Sequence, residues 1–424
     1  MDRRDFLKMA GAAGLTVGAA SLYPRARAGL SGGGGPQHAP YGGPLFCFFQ
    51  ANGGWDPVHL CDPKGNSLNA GFGEGDILSV GEINYAPIPG ATEFFTAHGN
   101  HMTVINGMDV ETNSHDAGRR NMTSGRLAEG FPNLAALIAG AGASGLPMSF
   151  LSFGGYEVVG STVPITRDGN QVRLTELAYP DQTNPGNLDT PAYYMSTAAQ
   201  DMLEAAKEER RIAYENGQKL PRFNKAVNTL MTSYQSSDEL KLLDEIMPEP
   251  DPNPNFRKIQ LAVAAYKAGV GATANFAMGG FDTHSNHDAS HIPRLTAMMA
   301  EVDFLFAEAE RQGVADQVIA TMASDFGRTP NYNGGNGKDH WRFTSMIVLG
   351  KDVPGPRVLG RSDEGHYGIP IDPVTLEEAE NPEEGFLPTP AHVHMALRKQ
   401  TGVEDTVLGE VYRLPIEHEL PVFG

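Results

Sequence analysis

Six short apolar runs that do not alternate with polar residues constrain this chain more than any other feature of its sequence. They are Leu45–Phe49, Met102–Asn106, Pro147–Phe153, Thr273–Met278, Val318–Ala323 and Ser345–Leu349. A strand with one wet face alternates apolar and polar residues, whereas a strand covered on both faces is apolar throughout. The six runs therefore read as buried strands of a parallel sheet. Amphipathic segments lie between them: Phe131–Gly140, with Leu134, Leu137 and Ile138 on one face, then Ser196–Asn216, Arg222–Met247, Asn255–Ala268 and Ile292–Gln312. Strands alternating with helices predict an α/β fold, a mostly parallel central sheet with helices on both faces. The stretch 188–255 is nearly all helical in pattern and reads as a helical insertion. Without a repeat or a long linker, 44–424 reads as one domain, and insertions reconcile its length with the ~250–300 residues at which single cores usually divide.

The first 28 residues, MDRRDFLKMAGAAGLTVGAASLYPRARA, are of another kind. Arg3-Arg4 precedes Phe6-Leu7-Lys8, a weakly apolar Ala/Gly-rich stretch follows, and Ala26-Arg27-Ala28 offers a small-x-small cleavage site. Order and spacing are those of a twin-arginine signal. The twin-arginine translocase is thus an expected partner, with cleavage near Ala28 and a periplasmic or secreted product. Residues 29–43 are Gly/Pro-rich and read as a flexible lead. No later stretch approaches the ~18–20 apolar residues of a membrane span.

The chain carries a formal charge of −19, and residues 1–28 contribute five basic against two acidic side chains, which leaves −22 for the rest. So acidic a surface argues against nucleic acid as a partner, since phosphate contacts need Lys and Arg. Two cysteines, Cys47 and Cys61, stand as a pair or as two separate buried thiols; spacing alone does not decide.

Chemistry concentrates where the predicted strands end, the edge at which open α/β sheets place their sites. GGFDTHSNH follows Thr273–Met278 and brings Asp282, His284 and His287. SDFGR follows Val318–Ala323 with Asp325 and Arg328, and GKDHW supplies Asp339 and His340 ahead of Ser345–Leu349. Carboxylate with imidazole is the donor set of Zn²⁺, Mn²⁺ and related ions. Gly337-Lys338 lacks the spacing of a phosphate loop and is not read as one. Nearer the N-terminus, QANGGWDPVH offers Asp56 and His59, where Asp56 either ligates a metal or closes a turn. ETNSHDAGRR places Ser114 and His115 at a predicted helix start, with Arg119 and Arg120 following. Ser114 there is either a helix N-cap or an activated nucleophile.

The twin-arginine start, the GGxD turn, the Ser-His ahead of a helix, GGFDTHxxH, SDFGRT and the Gly-rich loop into DHW together resemble the domain-of-unknown-function 1501 family, over about Pro44 to Leu414. These exported bacterial proteins are grouped with the alkaline phosphatase/sulfatase superfamily. The resemblance implies an alkaline phosphatase-like sandwich with one or two divalent metal ions (Zn²⁺, Mn²⁺ or Ca²⁺) at the carboxyl edge of the sheet. It implies Asp56, Asp282, His284 or His287, Asp325 and His340 as ligands, with Ser114 near the nucleophile position. Phe326 departs from it, because characterised relatives place an Asp-His pair where this chain has Asp325-Phe326. The nucleophile segment carries neither the sulfatase nor the phosphatase pattern. The resulting expectation is a metal-dependent hydrolase of small anionic phosphate or sulfate esters, with Arg119, Arg120 or Arg328 holding the anion. The alternative is a non-catalytic metal-binding protein on the same fold.

Overall fold

The computed structural model describes residues 41–424 except 66, 67, 69, 70, 168–170, 188 and 217–239. The signal segment, most of the Gly/Pro-rich lead and much of the Arg222–Met247 helix therefore lie outside the described residues. Seven strands form the central sheet: β1 Leu45–Ala51, β2 Met102–Asp109, β3 Met148–Phe153, β4 Gly271–Met278, β5 Val318–Ser324, β6 Phe343–Gly350 and β7 Arg357–Leu359. Their spatial order is β7-β2-β6-β5-β1-β4-β3. All six expected strands are present; β7 is short and was not expected.

Six strands run the same way, and β6 is antiparallel to both its neighbours, β2 and β5. The expectation of a mostly parallel sheet holds, but the reading of Ser345–Leu349 as one of the parallel strands is corrected. The cause is the connection. A parallel return needs a crossover of a dozen or more residues, usually helical, carried to the opposite edge. Between β5 and β6 the chain makes only loop and the two-residue strands Gly327–Arg328 and His340–Trp341, so it turns back on the edge it left.

Both faces of the sheet are covered, which is why its strands are apolar throughout. In β1, Leu45, Cys47 and Phe49 enter the core beneath helices α1 (Ala91–His98), α6 (Pro254–Lys267) and α7 (His287–Arg311). Phe46 and Phe48 enter the opposite core beneath α2 (His115–Ser124), α3 (Leu134–Gly142) and α8 (Pro390–Gln400). Phe46 and Phe49 are at most 1 % exposed, so truncating either to Ala should cost about 3–5 kcal/mol. Helix α3 begins three residues later than its apolar pattern, because Asn133 caps it by accepting from the Ala136 N–H at 2.7 Å. Helices α4 (Gln171–Ala178) and α5 (Thr197–Asn216), with a short helical piece over 240–246, are what is described of the expected insertion. Cys47 and Cys61 are separate, buried free thiols.

Register fixes where the loops emerge. Ala51 lies opposite both Met278 and Ser324, so β1, β4 and β5 end at one level of one edge. Phe343, the first residue of antiparallel β6, lies opposite Asp109, the last of β2. The segments 52–59, 110–115, 279–287, 325–328 and 338–342 therefore converge on that edge.

Candidate metal centre

Two clusters of side chains meet there, one partly open and one buried. The outer cluster is centred on Asp282, whose side chain is 47 % exposed. His115 comes from the first turn of α2, His284 from the loop after β4, and His340 from the short strand before β6. His284 Nε2 lies 2.9 Å from Asp282 Oδ1, His340 Nε2 3.3 Å from the same oxygen, and His115 Nε2 3.5 Å from Oδ2. His284 and His340 also face each other Nε2 to Nε2 at 3.1 Å.

The far nitrogen of each ring is already committed. His115 Nδ1 donates to Asp325 Oδ2 at 2.6 Å, His284 Nδ1 to Asp339 Oδ1 at 2.6 Å, and His340 Nδ1 to the Asn113 carbonyl at 2.9 Å. Carboxylates and carbonyls only accept, so each Nδ1 must carry its hydrogen. Every neutral ring then turns a lone pair inward, toward its neighbours and toward a carboxylate. Protonating the rings leaves His284 and His340 with two N–H groups aimed at each other. A cation within the His115–Asp282–His340 trio, whose ligand atoms lie within 4.8 Å of one another, would satisfy the lone pairs that the neutral rings turn inward. Ligands about 2.0–2.1 Å from a tetrahedral zinc stand roughly 3.3 Å apart, close to the spacing found. Ring orientation by a carboxylate or carbonyl on the far nitrogen is the outer support that metal-binding histidines use.

Asp325 is the buried anchor of this cluster. Besides His115 it accepts from the N–H groups of Gly53 and Gly54 at 3.0 and 2.5 Å and from Ser324 Oγ at 3.0 Å. The Gly-Gly turn is required for this. Gly53 and Gly54 have φ of +125° and +81°, and a Cβ on Gly53 would sit 2.4 Å from the Asp282 nitrogen. Arg328, fully buried, donates to the carbonyls of Gly53, Gly54 and Lys338 and to Asp282 Oδ1. Partial burial opposes charge on Asp282, but Arg328, His340 and His115 outweigh it and hold its carboxyl at about 2. The hydrogen bond to Asp325, against some burial, raises the His115 pKa. That from His284 lowers Asp339.

The inner cluster is Asp56, His59, His287, His291, Thr283 and Lys338. Asp56 Oδ2 receives Lys338 Nζ at 2.7 Å, His59 Nδ1 at 2.8 Å and His287 Nε2 at 3.1 Å. Both ends of the Lys338–Asp56 pair are completely buried. Burial alone would raise the Asp56 carboxyl; Lys338, His287 and His59 reverse that and hold it well below the usual carboxylate range. Burial pushes His287 and His291 down.

The residues read from sequence thus fall into both clusters. Asp282, His284, His340 and His115 meet in the outer one, with Asp325 and Asp339 holding rings from behind. Asp56 and His287 belong to the inner one. Ser114 occupies the N-cap position of α2, between Asn113 and His115, but its hydroxyl makes no capping bond. Arg119 pairs with Asp116 on its own helix at 2.5 Å, and Arg120 donates to the Leu127 carbonyl at 2.6 Å. Phe326 sets its ring, tilted, 4.7 Å from His115 and 4.4 Å from His340, an apolar wall beside two imidazoles that touch each other at 4.5 Å. Thr283, His291 and Lys338 were not picked out. For His291 the signal was its i, i+4 spacing from His287, which shares one helix face. Beside the outer cluster, an open cavity of about 550 Å³ begins at Asp339 and is walled by Tyr332, Trp341 and Tyr367.

Residues 52–379 match the family described as Protein of unknown function (DUF1501), and the chain belongs to that family. No curated protein matches it significantly. Among solved structures it is similar to Ps i-CgsB at 10 % identity and TM-score 0.41, covering 90 % of this chain and 76 % of that one. It is also similar to the PsFucS1 sulfatase from Pseudoalteromonas sp., at 11 % identity and TM-score 0.37, covering 96 % and 73 %. The alkaline phosphatase from the Antarctic bacterium TAB5 matches at 11 % identity and TM-score 0.30, covering 74 % and 94 %.

Proposed function

We propose that this chain is an exported, metal-dependent hydrolase of phosphate or sulfate esters, delivered by the twin-arginine translocase. The observation that carries the metal is the inward convergence of three Nε2 atoms on Asp282 with every Nδ1 committed elsewhere. His115, His284, His340 and Asp282 would hold the ion, Zn²⁺ or Mn²⁺ suiting this donor set better than Ca²⁺, which prefers oxygen. Bound there, it would supply Lewis-acid polarisation of an ester oxygen and a nucleophile at neutral pH. The residues themselves do the rest. Asp325 and Asp339 fix the rings, Phe326 keeps water from one side, and Ser114 stands between two site residues as a candidate nucleophile. The cavity walled by Trp341 and Tyr367 would seat the alcohol portion of the ester.

A second reading, a metal-binding protein without turnover, draws on the guanidinium groups. Arg119, Arg120 and Arg328 are all engaged within the chain, so none of these three stands ready as an anion clamp. The deciding experiment measures bound metal in the purified protein and in His340→Ala, then ester cleavage with and without chelator. Stoichiometric metal lost in the variant, with chelator-sensitive cleavage, supports the hydrolase. Stoichiometric metal without turnover on a broad ester panel selects the second reading, and wild-type protein without metal refutes both.

A further inference from the structure

The inner cluster contains a second donor set for a cation. Asp56, His59 and His287 each offer one ligand atom, all within 4.8 Å of one another and all buried. A carboxylate with two imidazoles in a dry setting is a sound site for Zn²⁺ or Mn²⁺. Yet a positive charge is already in it. Lys338 Nζ sits 2.7 Å from the same Asp56 oxygen on which both imidazoles converge, and 5.0 Å from the centre of the Tyr332 ring.

The lysine is held in place. Its carbonyl accepts from Arg328 at 2.8 Å and its N–H donates to the Thr283 carbonyl at 3.1 Å. The preceding Gly337 passes so close to His284 that a Cβ would lie 1.9 Å from its carbonyl carbon. The hydrogen bonds close around the ammonium as well. The Asp56 N–H donates to His291 Nε2 at 2.9 Å, so His291 Nδ1 carries a hydrogen and donates to Thr283 Oγ1 at 3.1 Å. Thr283 then donates to His287 Nδ1 at 2.6 Å, which leaves the His287 Nε2–H for Asp56. The backbone N–H sets the His291 tautomer, and the acceptor-only Asp56 carboxylate sets that of His287. In that state His287 offers Asp56 a hydrogen rather than offering a metal its lone pair.

Charge points the same way. One carboxylate balances one ammonium with neutral imidazoles, whereas adding a divalent ion would bury three positive charges against one negative. We propose that Lys338 is the built-in cation of the inner trio. Its ammonium fills the position a metal ion would take among Asp56, His59 and His287, and removing it opens that position to a divalent ion. The native chain would then hold metal in the outer cluster alone, a clause that rests on the function proposed above; the inner assignment does not depend on it. The two-ion clamp on attacking and leaving oxygens would be closed to it. Thr283 permits the exchange, since its hydroxyl can instead turn to the Phe281 carbonyl, 3.3 Å away, and accept from His287.

The test uses His284→Ala/His340→Ala as parent, in which the outer cluster is dismantled, and adds Lys338→Ala to it. Each protein is equilibrated with Zn²⁺ or Mn²⁺, desalted and analysed for bound metal, and its melting temperature is read with and without the ion. The expected result is no inner metal in the parent, one equivalent after Lys338→Ala, and a metal-dependent rise in melting temperature in that variant only. Asp56→Asn/Lys338→Met, which removes both buried charges, should fold without metal and bind none. A parent that already holds one equivalent overturns the proposal. So does a folded Lys338→Ala protein that gains none, or one that metal cannot restore to folding while the double replacement folds. Metal-free wild type would instead refute the outer reading, leaving the inner comparison intact.

Discussion

Asp325→Asn isolates a group that, on the proposed function, supports the ligands without touching the ion. Asp325 Oδ1 accepts from the Gly53 and Gly54 N–H groups and from Ser324 Oγ, and Oδ2 accepts from His115 Nδ1 at 2.6 Å. In the amide the remaining oxygen will take the Oδ1 position, because three donors point at it. The NH2 group then faces His115 Nδ1, donor against donor, and the ring must move its hydrogen to Nε2. That removes the lone pair His115 turns toward Asp282. Loss of such a supporting partner weakens metal binding about 10–100-fold, roughly 1.4–2.7 kcal/mol. Exchanging charge-assisted bonds for neutral ones at a buried anchor costs folding stability as well, about 1.5–3 kcal/mol. In metal-free protein the sign with pH is fixed. The Asp325 bond raises the His115 pKa, so its stabilisation is complete below the unfolded value of about 6.5 and fades as pH rises through the higher folded value. The stability deficit of metal-free Asp325→Asn should therefore be larger near pH ~5.5 than near pH ~8. Competitive Zn²⁺ titration gives the affinity, and long-range ¹H–¹⁵N spectra give the His115 tautomer. Wild-type affinity together with an unchanged Nδ1–H tautomer in the variant would refute the reasoning.

Three further outcomes follow from the geometry. Gly53→Ala forces a φ of +125° on alanine and a Cβ within 2.4 Å of the Asp282 nitrogen, so urea unfolding should show a loss of at least about 2 kcal/mol. Burial holds His394 at about 4 while its Nε2 donates to the Met122 carbonyl, and burial with His418 nearby holds His392 at about 4. Both folded values lie below the unfolded one, so stability is intact above pH ~6.5 and falls toward pH ~4, by up to about 1.4 kcal/mol per pH unit for each histidine. His394→Gln should remove one of these two contributions, read as a shallower difference in unfolding free energy between pH ~7 and ~5. Burial pushes both cysteine thiols far up, so folded protein should be inert to a thiol reagent and show two reactive thiols after unfolding; one rapidly reacting thiol in the folded state would contradict the packing.

The core strands were legible because burial on both faces leaves a plain mark, an unbroken apolar run. The outer cluster was legible for a related reason: β1, β4 and β5 end in one register, so acids and imidazoles just past each run must meet. Lys338 left no such mark. A lysine in a Gly/Asn-rich loop looks solvated, and its partner Asp56 is 282 residues away. What buries it is the closure of the 333–338 loop on the segment after β4, through the Ser285–Asn336 bridge and the Asn336 carbonyl bonded to the His287 N–H at 2.8 Å. Backbone hydrogen bonds of that kind carry no side-chain signature. Phe326 was ambiguous in a different way. Its place after Asp325 leaves a ligand either missing or supplied from elsewhere, and the structure sets His284, outside that segment, 2.9 Å from Asp282.

The direction of β6 carries the largest consequence. A strand of eight residues at about 3.3 Å each spans roughly 26 Å. Had Phe343–Gly350 run parallel to its neighbours, His340, three residues before it, would lie at the opposite edge of the sheet, that distance from Asp282. A parallel β6 and a metal-binding His340 were therefore incompatible expectations. The helix-free connection after β5 resolves the conflict, because without a helix to carry the chain across, the strand starts where its neighbours end. The same loop that carries no crossover helix delivers His340 and Asp339 to the outer cluster and Lys338 to the inner one. The direction of one strand and the composition of both clusters are a single structural fact.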